Sequence, residues 1–325
     1  MSAPAIVANK SGRARRVWYG LRGGDEVAHF VTFLFAASVL LMTAFLVYEL
    51  WVQSAESRTK FGFHFLATSN WDPVAGDFGA LPFIYGTVLT SILALVISIP
   101  LAVGAAIFLS ELAPPAVSST CTFLVELLAA IPSVIYGLLA LFTIVPLMRT
   151  YGEPFLKSTL GFLPFFQGPA IGVGYLSAGV VLAVMTFPFI IAISRESLME
   201  VPRDQREAAL ALGATRWEST FQVVVPYARL GILGSIFLGL ARALGETMAV
   251  TMVIGNDPSI HASLFAPGYT IAAVIANEFA EAGTSLHTSA LIEMGLVLFL
   301  VTIIVNALAR LLVIATSRKG TAQSA

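Results

Sequence analysis

Two charged side chains four positions apart, Arg242 and Glu246, lie in an otherwise apolar, glycine-rich stretch, GLARALGETMAVTMVIGN from Gly239 to Asn256. On a continuous helix that spacing sets them one turn apart on a single face. An ionised group at bilayer depth is costly, so such a pair should face the protein interior or a wetted path rather than lipid. Arginine offers a planar fork of donors suited to holding an oxyanion at two points. The glutamate would keep the arginine paired and oriented when the site is empty, and its charge would favour release of a bound anion. The same two residues fit a second role, an interhelical ion pair that fixes packing against a neighbouring chain. Both readings remain open on the residues alone. Gly231, Gly234, Ser235, Gly239 and Gly245 suit either, because small residues let membrane helices approach closely.

Other polar residues sit in apolar surroundings. Glu126 and Glu293 are candidates to line the same path, or else to make helix-packing hydrogen bonds. Tyr136 and Gly137 follow Pro132, where a kinked helix would offer a gate. Glu49 lies near a span boundary and should snorkel, and Asn256 and Asp257 should cap or turn rather than bind an anion. Covalent chemistry has little to work with. Cys121 is the single cysteine and the 4 histidines are scattered, so neither a disulfide nor a metal cluster is expected. The Lys–Ser pairs, Lys10-Ser11 and Lys157-Ser158, follow Asn9 and Leu156 rather than glycine, so there is no P-loop. Any ATP used must be hydrolysed by another chain.

The elements that position these residues are membrane helices. Hydrophobic residues make up 57% of the chain and charged residues 11%, whereas soluble domains carry about 25% charged residues. The mean hydropathy is +0.86. Apolar runs long enough to cross a bilayer fall at roughly His29–Val52, Phe83–Leu109, Thr120–Leu147, Gly172–Ser194, Leu230–Ile254 and Ser289–Ile314. Pro132 and Pro146 should kink the third, and Pro100 and Pro188 interrupt two others. The first run reads as a retained anchor rather than a cleaved signal.

Basic residues set the expected orientation, because cytoplasmic loops retain positive charge. Lys10, Arg13, Arg15, Arg16 and Arg22 precede the first span, Arg195, Arg203, Arg206, Arg216 and Arg229 follow the fourth, and Arg310, Arg318 and Lys319 close the chain. Arg58, Lys60, Arg149 and Lys157 fall on the other side. Both termini and the loop 195–229 are therefore expected in the cytoplasm, with 1–24 a disordered basic tail, 25–318 the membrane domain and 319–325 a second tail.

That loop contains VPRDQREAALALGATRWESTFQVVVP, Val201 to Pro226. Pro202 suits a helix start, Asp204 and Glu207 suit its dipole, and Gly213 suits a left-handed cap. A second short helix should begin near Thr215 and run toward Pro226. Ala208, Ala209 and Ala211 make the first helix narrow enough to enter a groove, though an ordinary amphipathic surface helix is also compatible.

The segment EAALALGATRWESTFQVVVP resembles the EAA loop of ABC-importer permeases, matching at Glu207, Ala208, Ala209 and Gly213 and departing at Val225, where leucine is usual. The resemblance implies a coupling helix that docks on a separate ATPase. GALPFIYGTVLTSILAL, IPSVIYGLLALF, GFLPFFQGP, ARALGETMAVTMVIGN and TIAAVIANEF narrow it to permease subunits of bacterial high-affinity phosphate importers, over roughly residues 25–318. Ala241 departs from that pattern, which has glycine before the arginine.

The resemblance implies an all-α integral membrane protein with six transmembrane helices and the type I ABC-importer permease fold. It implies alternating-access import of inorganic phosphate across a bacterial plasma membrane. The implied partners are a second permease subunit, an ATPase dimer carrying ATP and magnesium, and an extracytoplasmic phosphate-binding protein. No cofactor in this chain, no catalytic residue and no nucleic-acid partner are expected. Two alternatives stand beside this reading: a permease for molybdate or sulfate, and a proton-coupled transporter using Glu246, Glu126 and Glu293 as a relay. A membrane-embedded enzyme has no nucleophile–base or metal constellation to support it.

Overall fold

The computed structural model describes residues 25–321. The expected tail at 1–24 and residues 322–325 lie outside them. The chain separates into two compact units, Met1–Val52 and Gln53–Ala325. In the first, a helix α1 spans Asp25–Gln53. Its apolar side chains, among them Phe30, Phe33, Phe35, Leu40 and Leu41, are exposed. Apolar on all sides and without a buried face, α1 has the surface of a span bathed by lipid.

The second unit begins with two short helices, α2 (Ala55–Phe61) and α3 (His64–Ala67), and a hairpin of β1 (Trp71–Asp72) and β2 (Asp77–Phe78). Long helices follow: α4 (Leu81–Leu112), α6 (Ser133–Leu160), α7 (Tyr175–Met199) and α9 (Arg216–Leu244). Between them lie α5 (Pro115–Ala129) and α8 (Arg203–Ala211). The chain closes with α10 (Met248–Ile254), α11 (Ile271–Glu278) and α12 (Ser285–Thr321). Among the described residues, 6 helices are long and apolar enough to cross a membrane, as the hydropathy pattern predicts.

Two spans differ from their expected bounds. The run expected over Thr120–Leu147 is broken. α5 ends at Ala129, Pro132 is extended at ψ 141°, and a new helix starts at Ser133. Pro132 has no N–H to donate and forces Ile131 away from helical geometry. α6 then runs through Pro146 to Leu160, because wide π-type turns at Ala140–Ile144 and Met148–Gly152 flank the proline and absorb its missing bond. The fifth span, expected over Leu230–Ile254, instead starts at Arg216 and stops at Leu244. Gly245 to Thr247 break it before α10. The start follows from Thr215, whose hydroxyl accepts from the Glu218 amide. Glu218 reaches back to the Thr215 amide at 2.8 Å, which completes a capping box. The loop between α7 and α9 is accordingly 200–215, narrower than the expected 195–229.

The core forms layers along the helix axes. At the loop end, Ala102, Ala106, Ile190, Leu198, Val201, Val224 and Ile232 pack together. The middle joins α6, α7 and α10 through Tyr136, Ala140, Val181, Ala249 and Val253. At the opposite end Phe65, Phe78, Phe83, Tyr269 and Met294 form the third layer.

The hairpin, which hydropathy did not suggest, is pinned at that opposite end by one carboxylate. Trp71 Nε1 donates to Glu278 Oε2 at 2.9 Å, and His287 Nε2 lies 3.1 Å from the same oxygen. Phe78 stacks on the His287 ring at 5.2 Å, and Trp71 meets Phe83 edge-on at 4.8 Å. Glu278→Ala strands two donors in an aromatic setting, at a cost of about 1–3 kcal/mol for each buried group left unpaired. Glu278→Gln keeps an acceptor oxygen and should cost less. Thermal unfolding in detergent, with protease sensitivity of residues 71–78, should rank wild type above Gln above Ala.

Candidate functional site

Arg242 lies near the end of α9, half-buried. Its guanidinium carbon sits 5.8 Å from the centre of the Phe189 ring, within reach of a cation–π interaction. Its Nε is buried without a hydrogen-bond partner. Phe189 follows Pro188 inside α7, where the proline leaves the Val184 carbonyl without its helical partner. The charge of Arg242 also acts on Tyr136, in the first turn of α6. Tyr136 donates from its hydroxyl to the Leu128 carbonyl at 2.8 Å, across the Pro132 break. Gly137 permits α10 to come close: a Cβ there would lie 2.7 Å from Met252 Sδ and 3.0 Å from Ala249 Cα. The arginine therefore lies where three helix interruptions converge, at Pro132, at Pro188 and after Leu244. A cavity of about 270 Å³ shares Tyr136 and Pro188 with this junction and is lined also by Ser98, Leu128, Ala183 and Phe187.

Glu246 is not the partner of Arg242. The expected pairing required one continuous helix, but α9 ends at Leu244 and Glu246 lies in the break. No hydrogen bond or ion pair joins the two side chains. Instead Glu246 Oε1 accepts from the Ala249 amide at 3.3 Å, serving the open N–H groups at the start of α10. Asn256 and Asp257 take the turn roles expected of them. Asn256 Nδ2 donates to the Thr251 carbonyl at 3.1 Å, and Asp257 Oδ1 accepts from the Ser259 amide at 3.1 Å.

The other acidic candidates lie elsewhere. Glu126 is exposed on α5, where it borders a cavity of about 470 Å³ with Thr122, Arg195, Glu196 and Glu200 toward the end of α7 that leads into the 200–215 loop. Glu293 is buried on α12 beside Ser57, and its Oε2 has no hydrogen-bond partner. The structure does not bring Glu246, Glu126 and Glu293 into one chain of hydrogen bonds. Sequence reasoning passed over Glu153, which is fully buried at the far end of α6 and accepts from the Gly172 amide at 3.0 Å. Nothing in the apolar pattern marks that carboxyl, because its partner is a backbone amide.

The loop between α7 and α9 presents its candidate residues outward. Glu207 and Ala208 are exposed on α8, Ala209 is partly covered, and Gly213 is exposed at φ +90°. Only glycine adopts that left-handed backbone without strain. Around it the Gly213 amide donates to the Leu210 carbonyl at 3.0 Å and the Ala214 amide to Ala209 at 3.1 Å, closing the helix end. Leu210, Leu212 and Trp217 stand exposed on this end of the chain. Arg206, read from sequence only as a sign of orientation, turns inward and grips Glu111 at the end of α4.

The model of the family described as "Binding-protein-dependent transport system inner membrane component" matches residues 98–318. The chain belongs to this family. It is a multi-pass membrane protein and the permease component of an ABC transporter. The matched range holds the convergence around Arg242 and the whole exposed loop. The chain is 44% identical to the phosphate transport system permease protein PstC of Mesorhizobium japonicum, with 94% of each chain covered. To the protein of that name in Haemophilus influenzae it is 47% identical, over 87% of this chain and 90% of the other. A probable PstC of Methanocaldococcus jannaschii is 38% identical over 76% and 80%. Among solved structures, a bacterial ABC transporter involved in the import of the acidic polysaccharide alginate aligns with a TM-score of 0.56 at 16% identity, covering 91% of this chain and 98% of that one. That likeness bears on the fold alone.

The geometry of Glu246 yields a stability test. If Glu246 neutralised Arg242, Glu246→Gln would strand a buried charge, at about 3–5 kcal/mol. In the observed arrangement the glutamine oxygen still accepts from Ala249, and the loss should stay below about 1 kcal/mol. Thermal unfolding of the purified protein should show a small shift for Glu246→Gln.

Proposed function

We propose that this chain is the permease subunit of an ATP-driven importer that carries inorganic phosphate across a bacterial inner membrane into the cytoplasm. The observation that carries the reading is Arg242: a half-buried arginine with a free Nε, set at a junction of interrupted helices and unpaired with Glu246. A guanidinium with unspent donors can take a tetrahedral oxyanion by charge-assisted hydrogen bonds. Relatives named phosphate transport system permease over most of the chain support phosphate as the anion.

In this proposal a second permease subunit completes the path, and an extracytoplasmic binding protein delivers phosphate to its mouth. An ATPase dimer, which holds ATP and magnesium, docks on α8 through Glu207, Ala208 and Ala209. Both termini and the 200–215 loop face the cytoplasm, as the distribution of basic residues supports. Closure of the ATPase dimer moves the loop and rocks the helices to open outward, and hydrolysis returns them inward. This chain makes and breaks no covalent bonds. It contributes the anion contact and the moving walls.

Reconstituted complex in vesicles, with binding protein, should take up radiolabelled phosphate and not sulfate or molybdate. Arg242→Gln removes a charged hydrogen bond of about 1.5–3 kcal/mol and should slow uptake roughly ten- to hundred-fold. Arg242→Lys should fall between, since it keeps the charge and loses the fork. If Arg242 only packs against Phe189, Arg242→Gln should transport nearly normally per assembled complex, and that result would sink the phosphate contact.

Docking has its own test. Gly213→Val forces a β-branched residue into the left-handed region and should distort the turn after α8. The ATPase should then fail to co-purify, or uptake should fail, while membrane insertion persists. Normal co-purification with normal uptake would count against docking on this loop.

A further inference from the structure

We propose that Arg206 and Glu111 form the mechanical joint through which the 200–215 loop drives the membrane helices. The inference rests on the reading that α8 docks on an ATPase. Arg206 projects from α8 and holds both oxygens of Glu111, Nε to Oε2 at 3.1 Å and Nη2 to Oε1 at 2.8 Å. The same guanidinium donates through Nη2 to the Leu198 carbonyl at 2.7 Å, and through Nη1 to the Val201 carbonyl. Leu198 belongs to the last turn of α7, whose closing carbonyls have no helical partner. Glu111 lies in the π-type last turn of α4, Phe108–Leu112, just before the chain turns extended at Ala113. One side chain therefore binds α8 to the ends of both α4 and α7.

The joint is built to be stiff. A bidentate arginine–carboxylate contact fixes orientation as well as distance. The two side chains are only 21% and 10% exposed, so water and salt weaken it little. Beneath it Leu198 and Val201 pack with Ala102, Ala106, Ile107, Leu109 and Val224 in one apolar layer. The covalent links to α8 are Pro202 on one side and the Gly213 turn on the other, neither of which bonds it to α4 or α7. Glu207 and Ala208 stay exposed beside the inward-turned Arg206, so docking and clamping use different side chains of one helix. A push on α8 reaches α4 and α7 through the guanidinium. Without it, α8 has no side-chain hydrogen bond to α4 or α7 among the described residues.

The test measures coupling separately from assembly, in vesicles holding the full complex and the phosphate-loaded binding protein. For Arg206→Gln, ATP hydrolysed per phosphate taken up should rise by at least about tenfold, with ATPase still co-purifying. Arg206→Lys keeps the charge without the fork and should fall between. Glu111→Gln, which keeps an acceptor, should show a smaller rise. The double variant Arg206→Gln with Glu111→Gln leaves no stranded charge, so a purely structural role predicts recovered assembly and recovered coupling. The joint predicts recovered assembly with coupling still lost. An unchanged ratio per assembled complex in the single and double glutamine variants would overturn the proposal. If Arg206→Gln fails to assemble, the ratio in Arg206→Lys and Glu111→Gln decides. Gly213→Val separates the two ideas. If it leaves ATPase binding and uptake intact, docking on this loop fails; if it abolishes them while the Arg206 variants stay coupled, only the joint fails.

Discussion

A bilayer interior offers no hydrogen-bond partner to a backbone amide, a carbonyl or a charge, so every interruption of a spanning helix must be satisfied by the protein itself. The interrupted helices here meet that demand with one another. At the Pro132 break, Leu128 takes the Tyr136 hydroxyl and the Ile131 amide. At the start of α10, Glu246 serves the Ala249 amide. At its end, the Val253 and Ile254 carbonyls accept from Gly174 and Gly268 at 3.1 Å and 3.0 Å. Arg242 stands among these repairs with a donor to spare. Other buried polar atoms, Arg195 Nε and Glu293 Oε2 among them, also lack a partner, but Arg242 is the one set at this junction of breaks, which supports an anion contact there.

The sequence pattern reached the helices where periodicity and length decide. Long apolar runs leave no other structure in lipid, and Gly213 and Pro202 bracket α8 where their backbone preferences require. It failed where a break is a matter of tertiary support. Gly245 by itself does not stop a membrane helix. α9 stops there because α10 packs against Gly137 and its open groups find Glu246, Gly174 and Gly268. That single break separates Arg242 from Glu246, so a spacing that pairs residues on any continuous helix pointed to the wrong partner. Arg206 was missed for a related reason. Its partner Glu111 is 95 residues away, and no local spacing encodes that contact. The π-type turns that carry α6 past Pro146 are likewise invisible to a helical period of about 3.6 residues.

α7 ties the separate observations together. At one end its terminal carbonyl at Leu198 is held by Arg206, and at the other Tyr175 and Leu176 donate to Ala266 and Leu264 at 3.1 Å and 2.8 Å. Between these anchors stands Pro188, the one position in the helix with no amide to donate. A helix fixed at both ends bends where its hydrogen-bond ladder is interrupted. Phe189 lies at that point and faces the guanidinium of Arg242. Displacement of the loop end is therefore concentrated at the residue that contacts the arginine. In the proposed transport cycle, this geometry lets a cytoplasmic push alter the surroundings of a bound anion through α7.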